Sequence, residues 1–205
     1  MTPLSRMPAD LAQLLLELEE LGRENDARAV ERTKKMLNLE PETARLIHLI
    51  VRASECRNIL EIGTSNGYSA LWLADAIRPF VSAHVTSIER DPVKIKMARH
   101  NIQRAGFENP ITLLEGEASQ IVQTLSGPYD CVFFDADRVS AAEQLRHLLP
   151  SLADKVILFC DNVLSHPAEV QEYLGAVQAL DDFSDVQLPI GKGLHIAFRH
   201  RRLQQ

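Results

Sequence analysis

Five short apolar runs, at residues 59–62, 84–88, 111–114, 131–134 and 156–160, alternate along this chain with stretches of helical periodicity. Runs this short and this apolar suit strands buried on both faces, and a helix between successive strands is the connection that parallel pairing requires. The helical stretches lie at about 68–77, 92–105, 117–125, 140–149 and 167–180. An α/β fold follows, with helices on both faces of a mostly parallel sheet. The end of the chain differs, because 186–189 and 194–198 flank the turn Gly191-Lys192-Gly193, and strands joined so tightly pair antiparallel. Five parallel strands and this hairpin make seven.

Ahead of the first strand, Leu11, Leu14, Leu15, Leu18 and Leu21 recur at helical spacing over 9–22. Such a face needs cover, from the domain itself or from a second subunit. A second helix is expected at 41–53, with Pro41 in its first turn and Ala44, Ile47, Leu49 and Ile50 as its apolar residues. With no internal repeat, low-complexity stretch or linker, 1–205 reads as a single domain in which 1–35 is an N-terminal helical extension.

The first apolar run breaks into Glu61-Ile62-Gly63-Thr64-Ser65-Asn66-Gly67 before a helix. Gly63 and Gly67 permit backbone angles and a close ligand approach that side chains would hinder. A dinucleotide fingerprint would place glycine at 63, 65 and 68, but Ser65 and Tyr68 stand at the last two. The wider G-x-x-x-G spacing, with Glu61 just inside the strand, suits a ligand with an amino acid and a nucleoside but no phosphates. S-adenosylmethionine is such a ligand, and an ordinary strand-to-helix turn is the alternative.

Ligands of open parallel sheets gather outside the carboxyl ends of the strands. Here those ends carry Glu61, Glu89, Glu115-Gly116-Glu117-Ala118, Asp135-Ala136-Asp137 and Asp161-Asn162. Any one acid could be a solvated turn or N-cap residue, but the recurrence is harder to dismiss. Glu89 can accept both hydroxyl hydrogens of a ribose, or it can favour the start of a helix. If the fourth and fifth strands are neighbours, Asp135, Asp161 and Asn162 form an all-oxygen set suited to magnesium, manganese or calcium. Otherwise they are unrelated strand-end acids, with Asn162 capping a turn.

A formal charge of −6 argues against a broad nucleic-acid footprint, leaving a local tRNA-binding patch as the minority option. Cys56, Cys131 and Cys160 have neither zinc nor redox-pair spacing, so buried free thiols in a reducing cytoplasm are expected. Leu14, Leu15 and Leu16 run straight into Glu17, Glu19 and Glu20, unlike a signal peptide, and no apolar run has membrane length.

Together, Glu61-Ile62-Gly63, Ile88-Glu89-Arg90, Glu115-Gly116-Glu117-Ala118, Phe134-Asp135-Ala136-Asp137 and Asp161-Asn162-Val163-Leu164 resemble the cation-dependent O-methyltransferases of the catechol and caffeoyl-coenzyme A type, over about 36–198. The resemblance implies a Rossmann-like class I methyltransferase fold, strand order 3-2-1-4-5-7-6 with the seventh strand antiparallel. It implies S-adenosylmethionine bound by Glu61, Gly63, Thr64 and Ser69 at its methionine part, Glu89 at the ribose and Ala118 at the adenine. The same motifs extend the expected cofactor contacts to Ser65, Gly67, Arg90, Gly116, Glu117 and Asp135. Asp135, Asp161 and Asn162 would hold a divalent cation, magnesium or manganese with calcium as a further option. A small aromatic hydroxyl acceptor, a homodimer and closure of 36–38 over the cofactor are implied as well. Methyl transfer would depend on holding oxygen, carbon and sulfur in line.

The family usually has lysine as general base after Asp-Ala-Asp, where this chain has Arg138. Arginine stays protonated, so Arg138 is expected to stabilise an oxyanion or bind an acidic acceptor, with Asp135 its catalytic partner. The proton could leave through Asp137, His166, Lys192 or water. Ser140, Ala141 and Ala142 replace the usual tyrosines, and Ser165-His166-Pro167 replaces a typical tryptophan and glycine, so the acceptor pocket is altered. Trp72 reads as core packing. A metal-independent methyltransferase and a cofactor-binding protein without turnover remain the alternatives.

Overall fold

The computed structural model describes residues 7–31 and 34–199. Its elements are α1 (Ala9–Arg28), α2 (Pro41–Ala53), β1 (Asn58–Ile62), α3 (Tyr68–Ile77), β2 (His84–Glu89), α4 (Pro92–Arg104), β3 (Ile111–Glu115), α5 (Ala118–Ile121), β4 (Tyr129–Phe134), α6 (Ala141–Leu148), β5 (Leu152–Asp161), α7 (Pro167–Gln178), β6 (Phe183–Leu188) and β7 (Leu194–Arg199). The strands form a seven-stranded sheet in the order β3-β2-β1-β4-β5-β7-β6. β7 runs antiparallel to both neighbours, and the other adjacent strands pair parallel. The expected α/β architecture, strand order and single reversed strand are all present.

Side chains alternate across each strand, and the central strands bury both sets. Ile59, Phe133 and Phe159 face a core shared with α1, α2, α3 and α4. Leu60, Ile62, Val132, Phe134 and Leu158 face a second core closed by α6 and α7. Helix starts follow local chemistry. Asp91 caps α4 by accepting the amides of Val93 and Lys94, and proline opens α2, α4 and α7 where no amide donor is needed.

The leucine face of α1 is covered by the chain's own core, with Leu11, Leu14, Leu15 and Leu18 buried. Leu21 is 50% exposed, as it lies off the docked stripe. The helix runs to Arg28, beyond the expected 22, because Asn25 and Asp26 still have work: their side chains accept the amides of Met36 and Leu37. Residues 1–6, 32 and 33 of the expected extension lie outside the described residues. In α2, Leu49 faces outward while Thr43 and His48 are buried beside Ala44 and Ile47, because Asp75 of α3 supplies His48 with a carboxylate at 2.9 Å. β5 starts at Leu152 rather than 156, its extra residues lying across a register shift against β4. β6 starts at Phe183 rather than 186, where the Arg199 guanidinium covers its ring at 5.0 Å. Trp72 is core, edge-on to His48 and Tyr68. All three cysteines are free and buried, and among the described residues no helix is long and apolar enough to cross a membrane.

Candidate active site

The carboxyl ends of the parallel strands open onto one cleft of about 850 Å³. At the β1 end, Gly63 takes a φ of +106°, and a Cβ there would lie 2.5 Å from the Asp135 carbonyl oxygen. Glycine at 63 therefore lets the tips of β1 and β4 close up. Gly67, at φ +91°, is pressed on Ala98 of α4 and does not line the cleft. The crowding at both glycines comes from the protein itself, which the expectation of close ligand approach did not foresee.

Glu61 is fully buried on the face shared with Ile59, below the cleft wall. The Ser87 hydroxyl donates to its Oε2, Oε1 has no hydrogen-bond partner, and Thr64 lies 2.5 Å from the Ser87 hydroxyl. Burial pushes the Glu61 carboxyl up to about 7, with the Ser69 and Ser87 hydroxyls offsetting part of that rise. Thr64, Gly67 and Ser69 share this buried layer, while Gly63, Ser65, Glu89, Arg90, Gly116, Glu117, Ala118 and Asp135 line the cleft. Glu89 accepts the amides of Ser65 at 2.8 Å and of Arg90 and Asp91 at 2.9 Å. It is not the cap of α4, which is Asp91. Its carboxylate instead fixes the loop beside Ser65 and still faces the cleft. The 36–38 segment also lines the cleft, tied down by the Ser65 hydroxyl, which donates to the Met36 carbonyl at 2.7 Å.

β4 and β5 are neighbours, so Asp135 and Asp161 meet at the cleft. Burial raises the Asp135 carboxyl well above its usual value, and the charges of Asp161, Glu61 and Glu40 add to that. Asp161 is 2% exposed and is pushed up to about 7, by burial first and then by Glu40. Its Oδ2 accepts from the Asn162 side-chain amide at 2.5 Å, and its Oδ1 is buried without a partner. Asn162 sits at φ +67°, a conformation its short polar side chain tolerates, at the corner after β5.

Arg138 lines the cleft, but its guanidinium is engaged by Glu169 of α7 at 2.7 and 2.9 Å and its side chain is 10% exposed. Asp137 is a turn acid that accepts the Ser140 hydroxyl at 2.6 Å. His166 contacts the Ser165 hydroxyl at 2.9 Å on the cleft wall. Lys192 reaches the cleft from the β6–β7 turn and pairs with Glu40 at 2.6 Å. Sequence reasoning missed Glu40 and Glu169. Each partners a residue already singled out, but 152 and 31 positions away in the chain, and nothing local to either acid signals it.

The cleft presents a carboxylate at the second strand and an acid pair at the fourth and fifth, above the buried layer that holds Glu61. A sequence model of the O-methyltransferase family matches residues 9–194. A catechol O-methyltransferase of Niastella koreensis is 29% identical over 154 residues, which are 70% of this chain and 69% of that protein. One from Mycobacterium tuberculosis is 32% identical over 124 residues, 60% of this chain and 56% of that protein. A Podospora anserina methyltransferase crystallised with SAH superposes with a TM-score of 0.79 at 21% identity, over 95% of this chain and 89% of that one. The chain belongs to the S-adenosylmethionine-dependent O-methyltransferase family.

Proposed function

We propose that this enzyme methylates a hydroxyl of a small aromatic molecule with the help of a divalent cation. The observation carrying this reading is the charge balance at the strand tips. Arg138 is paired with Glu169 and Lys192 with Glu40, and among the described residues neither Asp135 nor Asp161, the two buried acids at these tips, has an ion-pair partner of its own. Two carboxyl groups, an unpartnered Asp161 oxygen and an adjacent Asn162 amide fit a hard cation such as magnesium or manganese, whose charge would favour the ionised form of both acids. Asp135, Asp161 and Asn162 would hold it, and it would supply positive charge that lets a hydroxyl lose its proton near neutral pH. S-adenosylmethionine, once bound, supplies an electrophilic methyl group.

The chain's own residues do the positioning. Glu61, Gly63, Thr64, Ser65, Gly67 and Ser69 shape the seat for the methionine part, Glu89 and Arg90 that for the ribose, and Gly116, Glu117 and Ala118 that for the adenine. Exposed Leu37 and Val139 give the mouth of the cleft apolar walls, which favours a flat acceptor, as do the catechol-methylating relatives. Arg138, held by Glu169, offers its remaining N–H groups to a developing oxyanion or an acidic substituent. The net negative charge argues against nucleic acid as the acceptor.

In this reading, residues 1–205 act as one methyltransferase domain with 1–35 as its extension, in the reducing cytoplasm that free cysteines suit. It includes a homodimer, for which Leu16 and Leu21 are the apolar residues α1 leaves exposed. The test is methyl transfer to a panel of catechols and hydroxylated aromatic acids after chelation. Activity lost on chelation and restored by magnesium or manganese supports the proposal. Full activity in the chelated enzyme contradicts the cation's part in it.

A further inference from the structure

The turn between β6 and β7 is wedged between two parts of the cleft. The Lys192 carbonyl accepts the amides of Leu164 and Ser165 at 3.2 and 3.0 Å, and the Gly193 carbonyl accepts that of Val163 at 3.0 Å. The turn is thereby fixed to the loop that follows Asp161. A Cβ at Gly193 would meet Leu164 of that same loop at 2.5 Å, and on the turn's other side one at Gly191 would meet Thr43 at 2.5 Å and Glu40 at 3.0 Å. Positive φ at both glycines lets the turn pack this closely on either side, with Lys192 lining the cleft.

Lys192 pairs with Glu40 Oε1, while Glu40 Oε2 is buried without a partner. The pair stands close enough to Asp135 and Asp161 that Glu40 and Lys192 act on both in opposite directions. Burial pulls the Lys192 ammonium's pKa down, but Glu40 and then Asp161 and Asp135 outweigh it, so the group stays charged. A fixed positive charge therefore faces the same acids that would hold a divalent ion, and a like charge beside a cation site weakens binding there.

We propose that Lys192 is a built-in competitor that sets how tightly this enzyme holds its divalent cation, and that Glu40 tunes the competition by neutralising it. The inference rests on the divalent-ion reading above. It predicts opposite signs for two charge-removing changes. Lys192→Gln removes the competing charge and frees Glu40, tightening the site. Glu40→Gln leaves the ammonium without its counter-ion, loosening the site. Glu40 makes no side-chain cap to α2, so this change costs the helix nothing there.

The test is a titration of each full-length protein with manganese alone, the free ion read by electron paramagnetic resonance, with no acceptor present. Lys192→Gln is expected to bind manganese about tenfold more tightly than the unaltered protein. Glu40→Gln is expected to bind several-fold more weakly and Lys192→Arg about equally. A pair that merely fastens the turn would loosen the site in both Gln variants, and shifts of the same sign, or none, overturn the inference while leaving the cation reading intact. Manganese binding by Lys192→Gln but not by the unaltered protein supports it in its strongest form. No manganese binding by any of the proteins removes the cation reading and this inference with it.

Discussion

Glu61 is a carboxyl sealed under the cleft floor, and its burial has a measurable signature. Its folded value of about 7 lies above the 4.5 of an exposed glutamate, so the folded chain keeps a proton that the unfolded chain releases between those values. Its stabilising contribution is complete below pH 4.5 and lost as pH rises through about 7. The ligand-free protein should therefore melt at lower temperature as pH is raised across that window. In Glu61→Gln the decline should shrink by up to about 3 kcal/mol, measured by calorimetry. An unchanged slope would show that Glu61 is ionised in the folded protein throughout. Asp161→Ala tests the acid pair at the same scale. It should cut turnover about a hundredfold or more while isothermal titration finds S-adenosylmethionine affinity within a few-fold of the unaltered enzyme. Unchanged turnover would remove Asp161 from the mechanism.

At the scale of elements, the site depends on how closely strand tips approach. Gly63→Ala would set a Cβ 2.5 Å from the Asp135 carbonyl oxygen, at a φ of +106° that alanine resists. It should cost on the order of 2–4 kcal/mol of stability by denaturant titration and impair cofactor binding by moving β1 away from β4. Stability within about 0.5 kcal/mol of the parent would show that the tips have room to spare. The strands themselves were legible because burial on both faces turns them into apolar runs, and the acids at 61, 89, 135 and 161 stand out against that apolarity. Their convergence was legible too, since parallel strands all end on one side. Partnerships across the fold were not. Lys192 meets Glu40 because a hairpin turn lands on the start of α2, and Arg138 meets Glu169 because α6 and α7 pack side by side. Leu21 and Leu49 fit the helical period of their segments, but the docking angles of α1 and α2 turned them to the surface.

At the scale of the whole molecule, one cleft gathers the ends of five parallel strands together with the 36–38 segment, which the last turn of α1 anchors through Asp26 at 2.7 Å. Occupying that cleft should stabilise the entire fold. SAH at about a hundred times its dissociation constant is expected to add about 2.7 kcal/mol, seen as a higher melting temperature. No shift at saturation would mean that the ligand binds folded and unfolded chains alike. In the proposed mechanism the strand tips seat a methyl donor beside an oxygen-lined cation pocket. A crystal grown with SAH and manganese, measured at the manganese absorption edge, tests it most directly. An anomalous peak bounded by Asp135, Asp161 and Asn162 is expected, with SAH lying between Gly63 and Glu89. An anomalous peak elsewhere, or SAH bound outside this cleft, would contradict it.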